Sequence, residues 1–215
     1  MTYIWINPVT ESMYQTSVLE KYLKDHQLER VHCRTDWGQI VKDKYKRAVE
    51  AGGKTEAGQT AGGVTIADAR CPMARSLVES LTEDMKPAEI EPILIHCARE
   101  ISSREDLRDG NKIITTPCRS LADMGNALKL ADTEFMTWNE LLSSIGQRPE
   151  GKQPEESPIP PGFFAGMEGE TESLTGKEQI EAYVASGRWR RVRLVEMLYC
   201  DRGCHNGDGV VSDET

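Results

Sequence analysis

Strand-like and helix-like apolar patterns alternate from the first residues of this chain, and that alternation restricts the fold more than any other feature. Tyr3–Ile6 reads as a short buried strand that ends at Asn7-Pro8. Ser17-Val-Leu-Glu20 has the form of a capping box, and Val18, Leu19, Tyr22 and Leu23 then share one helical face. A strand around Arg30–Cys33 follows, and Asp36 can cap a second helix with Ile40, Val41, Tyr45, Ala48 and Val49 inward. Strands separated by helices pair in parallel through crossovers, so the expected fold class is α/β, with a mainly parallel sheet and flanking helices.

The pattern continues downstream. Val64–Ala69, Pro92–Cys97, Lys112–Thr116, Glu134–Met136 and Val192–Tyr199 read as further strands. Helices are expected from Pro72 through Leu77, Val78 and Leu81, and from Cys118 through Leu121, Met124 and Leu128. Thr137-Trp-Asn-Glu140 is a second capping box ahead of Leu141, Leu142 and Ile145, while Thr175-Gly-Lys-Glu178 opens a helix that Gly187 can stop. Residues 52–63 are glycine-rich and contain Gly53-Lys54-Thr55, but a phosphate loop needs a glycine where Ala48 stands, a strand before it and a helix after it. A simple loop is the better reading. Gly146 to Gly162 carries five prolines and is expected to be extended, as a linker or a strap. The chain thus divides into an α/β core over 1–145 with the first two cysteine loops, a Pro-rich irregular strap or linker over 146–175, and a segment over 176–215 whose helix, strand and final cysteine loop complete the same site.

Composition narrows the partners. A net charge of -9 argues against a general nucleic-acid binder, whose affinity comes from neutralising phosphates. No apolar stretch approaches the roughly 20 residues of a membrane span, and the N-terminus has no signal-peptide pattern. Six cysteines in 215 residues are too sparse for a disulfide scaffold, so a reducing, cytoplasmic setting is expected, where thiols more often bind metal or react.

Four of those thiols stand at the ends of strand-like runs. Cys71 and Cys118 each precede an expected helix, whose N-terminus favours a thiolate or an anionic group. Cys200 and Cys204 lie in Leu198-Tyr-Cys-Asp-Arg-Gly-Cys-His-Asn-Gly-Asp-Gly209, where glycines let backbone come close to an inorganic group. In open α/β sheets the carboxyl ends of strands are where ligands gather. Four thiolates suit a [4Fe–4S] cube. Zinc held by the same four cysteines and ordinary buried or reactive thiols are the rival readings. Cys33 and Cys97, within strand-like runs after His32 and His96, read as structural core residues.

Cys71-Pro72, Pro117-Cys118 and Cys200-Asp-Arg-Gly-Cys204 resemble, in order, the three signature loops of the iron-only ([FeFe]) hydrogenase catalytic domain. Glu196-Met-Leu-Tyr-Cys200 echoes the start of the third loop, and Phe135-Met-Thr-Trp-Asn-Glu-Leu-Leu142 looks like the family's strand-then-helix sequel to the second. The likeness covers residues 64–209. It implies Cys71, Cys118, Cys200 and Cys204 as cube ligands, with Cys204 where the family bridges to a diiron subsite. The departures are informative. Arg70 stands at the family's proton-relay cysteine, Leu121 at the lysine that contacts a diiron cyanide, Met124 at a glutamate, and Arg202 at a glycine. Arginine does not exchange its proton near neutral pH, so the resemblance points to a divergent, sensor-like member with the cube site kept and hydrogen conversion lost. Arg70, Arg119, Arg202 and His205 are expected around the cluster.

The expected role is electron transfer or redox sensing, with a redox partner protein or additional domains of a larger assembly. A hydrogenase-like or other small-molecule reductase with a second metal group at Cys204 is the enzyme alternative, and a four-cysteine zinc interaction module is a third. Arg188–Arg193 reads as a solvated edge or an acidic-partner contact, and Asn206-Gly-Asp-Gly-Val lacks calcium-loop spacing.

Overall fold

In a computed structural model the described residues are 1–52, 64–159, 161–167 and 171–211. The elements run β1 (Thr2–Trp5), α1 (Pro8–Ser12), α2 (Thr16–Asp25), β2 (Leu28–Arg30) and α3 (Trp37–Gly52). Next come β3 (Ile66–Ala67), α4 (Pro72–Leu81), β4 (Lys86–Pro87), α5 (Ile93–Ser103), β5 (Asn111–Thr116), α6 (Arg119–Ala127) and β6 (Thr133–Thr137). The last are α7 (Trp138–Ile145), β7 (Thr171–Thr175), α8 (Lys177–Ser186) and β8 (Leu194–Leu198). The fold is α/β with two four-stranded sheets, every described pairing parallel. They belong to two compact units: 1–35, 94–159 and 204–215 in the first, 36–93 and 160–203 in the second. These divisions differ from the breaks at 145 and 175 that composition suggests.

In the first unit the strand order is β2-β1-β5-β6. Successive side chains on a strand point to opposite faces, and here both faces are apolar. Ile4, Ile113 and Met136 join a cluster with Val9, Leu19, Leu23, Trp138 and Leu141 from α1, α2 and α7. Their chain neighbours Trp5, Ile114 and Phe135 join another with Leu94, Ile95, Ile101 and Leu121 from α5 and α6. Helices therefore cover both faces, as parallel sheets require. Residues 147–159 act as a strap on this unit. The Lys152 amide donates to the Met13 carbonyl (2.9 Å), and Ile159 packs into the Trp138 cluster.

The second unit has the order β4-β3-β8-β7. Every residue of β8 is buried. Val195 and Met197 face α4 and α8 through Val78 and Ile180, with Trp189 just beyond α8 in the same cluster, while Leu194 faces α3 through Val41, Tyr45 and Val49. Ile40, expected inward, is exposed, so the buried stripe of α3 runs through Val41, Tyr45 and Val49 alone.

Several local expectations change. Pro92–Cys97 is not a strand but the start of α5, because Leu94, Ile95, Ala98 and Ile101 repeat at helical spacing beyond Cys97. The Ser17–Glu20 box does not form; α2 starts at Thr16 with Gln15 as an N-cap that makes no side-chain bond. Asn7-Pro8 does more than end a strand. The Asn7 side chain accepts the Thr10 amide (3.0 Å) and caps α1. Asp36 does cap α3, accepting the Gln39 amide at 2.9 Å. Gly187, at φ +67°, ends α8. Residues 53–63, which include Gly53-Lys54-Thr55, lie outside the described residues; a helix precedes them and a strand follows.

The Thr137 capping box forms in full. Its hydroxyl accepts the Glu140 amide (3.1 Å), and the Glu140 carboxylate accepts the Thr137 amide (2.8 Å). Thr137→Ala is expected to lower unfolding free energy by about 1 kcal/mol, measured by denaturant titration.

Candidate functional site

Cysteine pairs gather at the carboxyl edge of each sheet. In the second unit β3 and β8 are parallel neighbours, with Ile66 opposite Leu194 and Ala67 opposite Val195. Their chains leave the sheet side by side, toward Cys71 and Cys200 respectively. Cys71 is the N-cap of α4 in extended conformation, and Pro72 occupies the first turn, where its missing N–H costs no helical bond. Burial pushes the Cys71 thiol up, while the backbone amides of Tyr199, Ala74 and Met73 pull it down less strongly. The Tyr199 amide on that sulfur brings the chain immediately before Cys200 against Cys71. Cys71 and Tyr199 pack on the apolar cluster beneath α4 and α8.

The first unit holds the other pair. β5 ends at Thr116, and Pro117-Cys118 turns the chain into α6 with Cys118 as N-cap. The segment from Cys204 to Val211 is stitched onto that turn. The Gly209 amide donates to the Pro117 carbonyl (3.0 Å), and the Asp208 carboxylate accepts the Arg119 amide at the start of α6 (3.0 Å). The Asn139 amide donates to the Gly209 carbonyl (3.0 Å), tying the segment to α7 as well. Gly207 permits the approach: a Cβ there would sit 2.3 Å from the Pro117 oxygen. The glycine-rich tail thus brings the backbone of Cys204 to the Cys118 loop, a role for Gly207, Asp208 and Gly209 that the sequence hinted at only through their density.

The four residues expected around these thiols fall in different settings. Arg70 is 7% exposed in its side chain and lies in an ion cluster. Its Nε donates to both oxygens of Asp68 (3.0 Å each), and its Nη2 to Asp68 and to Glu196 (2.7 Å each). The guanidinium also lies over the rings of Phe163 and Phe164, 4.0 and 4.6 Å from their centroids. Tyr45 donates to Asp68 (2.9 Å), and Glu196 accepts from the Gly162 and Phe163 amides and the Ser173 hydroxyl. Burial, opposed by the two carboxylates, leaves the Arg70 pKa above its ordinary value, so its charge is fixed. Arg119 is exposed and paired with Glu140 at 2.7 Å. Arg202 is exposed at φ +57°, 3.7 Å from Asp201. His205 is buried, and its carbonyl accepts the Gln153 side-chain amide.

None of the six cysteines is joined in a disulfide. Among the described residues no three or more His, Cys, Asp or Glu side chains are grouped so as to hold a metal ion. Thiols at helix N-caps suit iron–sulfur chemistry in kind, and each unit supplies one of them, Cys71 or Cys118, together with one further cysteine, Cys200 or Cys204. A four-thiolate cube needs more donors than either pair offers. Leu121 and Met124, at two positions where hydrogenases carry polar groups in the resemblance above, pack into the α5–α6 apolar cluster. No protein-family model matches the chain, and neither does any curated protein.

Two substitutions probe this architecture. Gly207→Ala is expected to cost about 1–3 kcal/mol by overpacking against Pro117, seen as a lower denaturant midpoint. Arg70→Cys should cost about 3–5 kcal/mol, because Asp68 and Glu196 would be left buried without their cation; unchanged stability would refute this account of the ion cluster.

Proposed function

We propose that this is an iron–sulfur protein that holds one [4Fe–4S] cluster through Cys71, Cys118, Cys200 and Cys204, and that it serves electron transfer or redox sensing. The observation that carries the reading is the pairing of sequence-remote thiol loops: Cys71 beside the Tyr199–Cys200 turn, and the Cys204 segment bonded onto Pro117–Arg119. A pair of strand-end loops locked by main-chain bonds and a glycine contact is more construction than isolated core cysteines need. The N-cap positions of Cys71 and Cys118 add amide donors that favour thiolates. When bound, such a cluster supplies reversible one-electron chemistry, its potential set by sulfur hydrogen bonds and solvent exposure.

The same residues argue against hydrogen conversion. Arg70 is committed to Asp68 and Glu196, and Leu121 is core, so neither offers the mobile proton or the hydrogen bond that a catalytic diiron subsite would use. The protein works in a reducing cytoplasm and exchanges electrons with a redox partner protein or with further domains. Its acidity disfavours nucleic acid. Among the described residues no helix is long and apolar enough to cross a membrane.

Protein purified anaerobically should contain about four irons and four sulfides per chain, with a cluster signal in electron paramagnetic resonance after reduction. Cys118→Ser should lose most of the iron, whereas Cys33→Ser should retain it, because a serine oxygen is the poorer iron ligand. Stoichiometric zinc without iron would overturn the proposal. After maturation with a diiron subsite and a strong artificial reductant, hydrogen evolution should stay near background, and robust turnover would establish the enzyme alternative instead.

A further inference from the structure

Cys33 and Cys97 lie outside the four proposed ligands, yet they are not two separate core residues. Cys33 follows β2 and is half-buried between the exposed His32 and Arg34, while Cys97 is a buried residue of α5. The Cys97 thiol and the Cys33 sulfur are hydrogen-bonded to each other. The 32–35 segment is clamped to α5 and the residue just beyond it. The Glu100 carboxylate, one turn past Cys97, accepts the Arg34 amide (2.5 Å) and the Thr35 amide (3.3 Å). Arg104 donates to the His32 carbonyl at 2.8 Å. Backbone bonds on both sides of Cys33 thus hold its segment against α5, the helix that carries Cys97.

The surroundings also divide the two thiols by reactivity. The Cys97 hydrogen bond draws the Cys33 pKa below the ordinary thiol value, with help from the Arg104 charge and the Trp5 indole and against burial and Glu100. That same hydrogen bond, together with burial, pushes Cys97 up. The more accessible thiol is thus the easier of the two to deprotonate, and the buried one the harder. A more acidic, accessible thiol beside a buried second thiol is the arrangement of a dithiol that closes on itself.

We propose that Cys33 and Cys97 form a redox-active dithiol that exchanges with disulfide-bearing partners, with Cys33 as the attacking thiol and Cys97 as the resolving one. The Cys33 thiolate attacks one sulfur of a partner disulfide, breaks its S–S bond and releases one partner thiolate. Cys97 then gives up its proton and attacks the Cys33 sulfur of the mixed disulfide, expelling the second partner thiolate. The Cys33–Cys97 bond forms, the partner disulfide is reduced to two thiols, and the two protons from the cysteines end on them. The sulfurs must close from hydrogen-bonding distance to about 2.05 Å. The exchange involves none of the four proposed cluster ligands.

The test uses the full chain, purified anaerobically and equilibrated with glutathione disulfide, then alkylated and mapped by peptide mass spectrometry, with iron measured on the same sample. The wild-type protein should lose two hydrogens as a Cys33–Cys97 disulfide that dithiothreitol reverses. Cys97→Ser should accumulate one glutathione on Cys33, and Cys33→Ser should carry none on Cys97. Wild-type protein in which Cys33 stays unmodified, keeps glutathione without closing, or pairs with another cysteine would overturn the proposal, whatever the variants do. Because the disulfide is read by mass and the cluster by iron, either reading can fail without the other.

Discussion

Parallel pairing at the centre of each sheet is the constraint on which the rest depends. A parallel neighbour can be reached only by a crossover, so each unit sends its chain out at the carboxyl edge and returns it by way of helices. The strands themselves are short, two residues in β3 and five in β8, and gain stability from burial on both faces. Cys71, Cys118 and Cys200 stand within a few residues of strand ends for that reason alone. Their positions follow from topology before any chemistry is considered.

The ion cluster of Asp68, Arg70 and Glu196 is the second consequence of burial. Because β8 is covered on both faces, a glutamate at its centre must find partners inside the protein, and Glu196 takes a guanidinium, two backbone amides and a hydroxyl. Such clusters are costly to break and contribute little net stability compared with apolar packing, so geometric specificity is their best-supported use. Here the geometry concerns the turn from Ala69 to Cys71. The Tyr45 hydroxyl and the Asp68 carboxylate hold the amides of residues 69 and 70 immediately before the thiol.

Fold class was legible because its signals are local. Alternating apolar periods gave β1, β5, β6 and β8 and most of the helices, and the Thr137 and Asp36 caps were readable from residue type and spacing. Failures came where two local readings compete. Ile93-Leu-Ile-His-Cys satisfies a strand and a helix equally until Ala98 and Ile101 extend the helical face, and Ser17 loses to a start one residue earlier. The division into two units could not be read, since it depends on which remote segments share a core. The Cys33–Cys97 contact and the docking of Gly207 on Pro117 were hidden for the same reason: sequence separations of dozens of residues carry no local signature.

The chain passes from one unit to the other after residues 35, 93, 159 and 203, so neither unit is a continuous stretch of sequence. On the ribosome, the Pro117 turn must wait for residues 204–211 to emerge before its carbonyl and the start of α6 find their partners. Folding is thereby weighted toward late, long-range contacts, which are the slow ones to form. Until then the thiols of Cys71 and Cys118 are exposed in an unfinished chain, and their protection from stray metal or oxidant falls to the cell rather than to the fold.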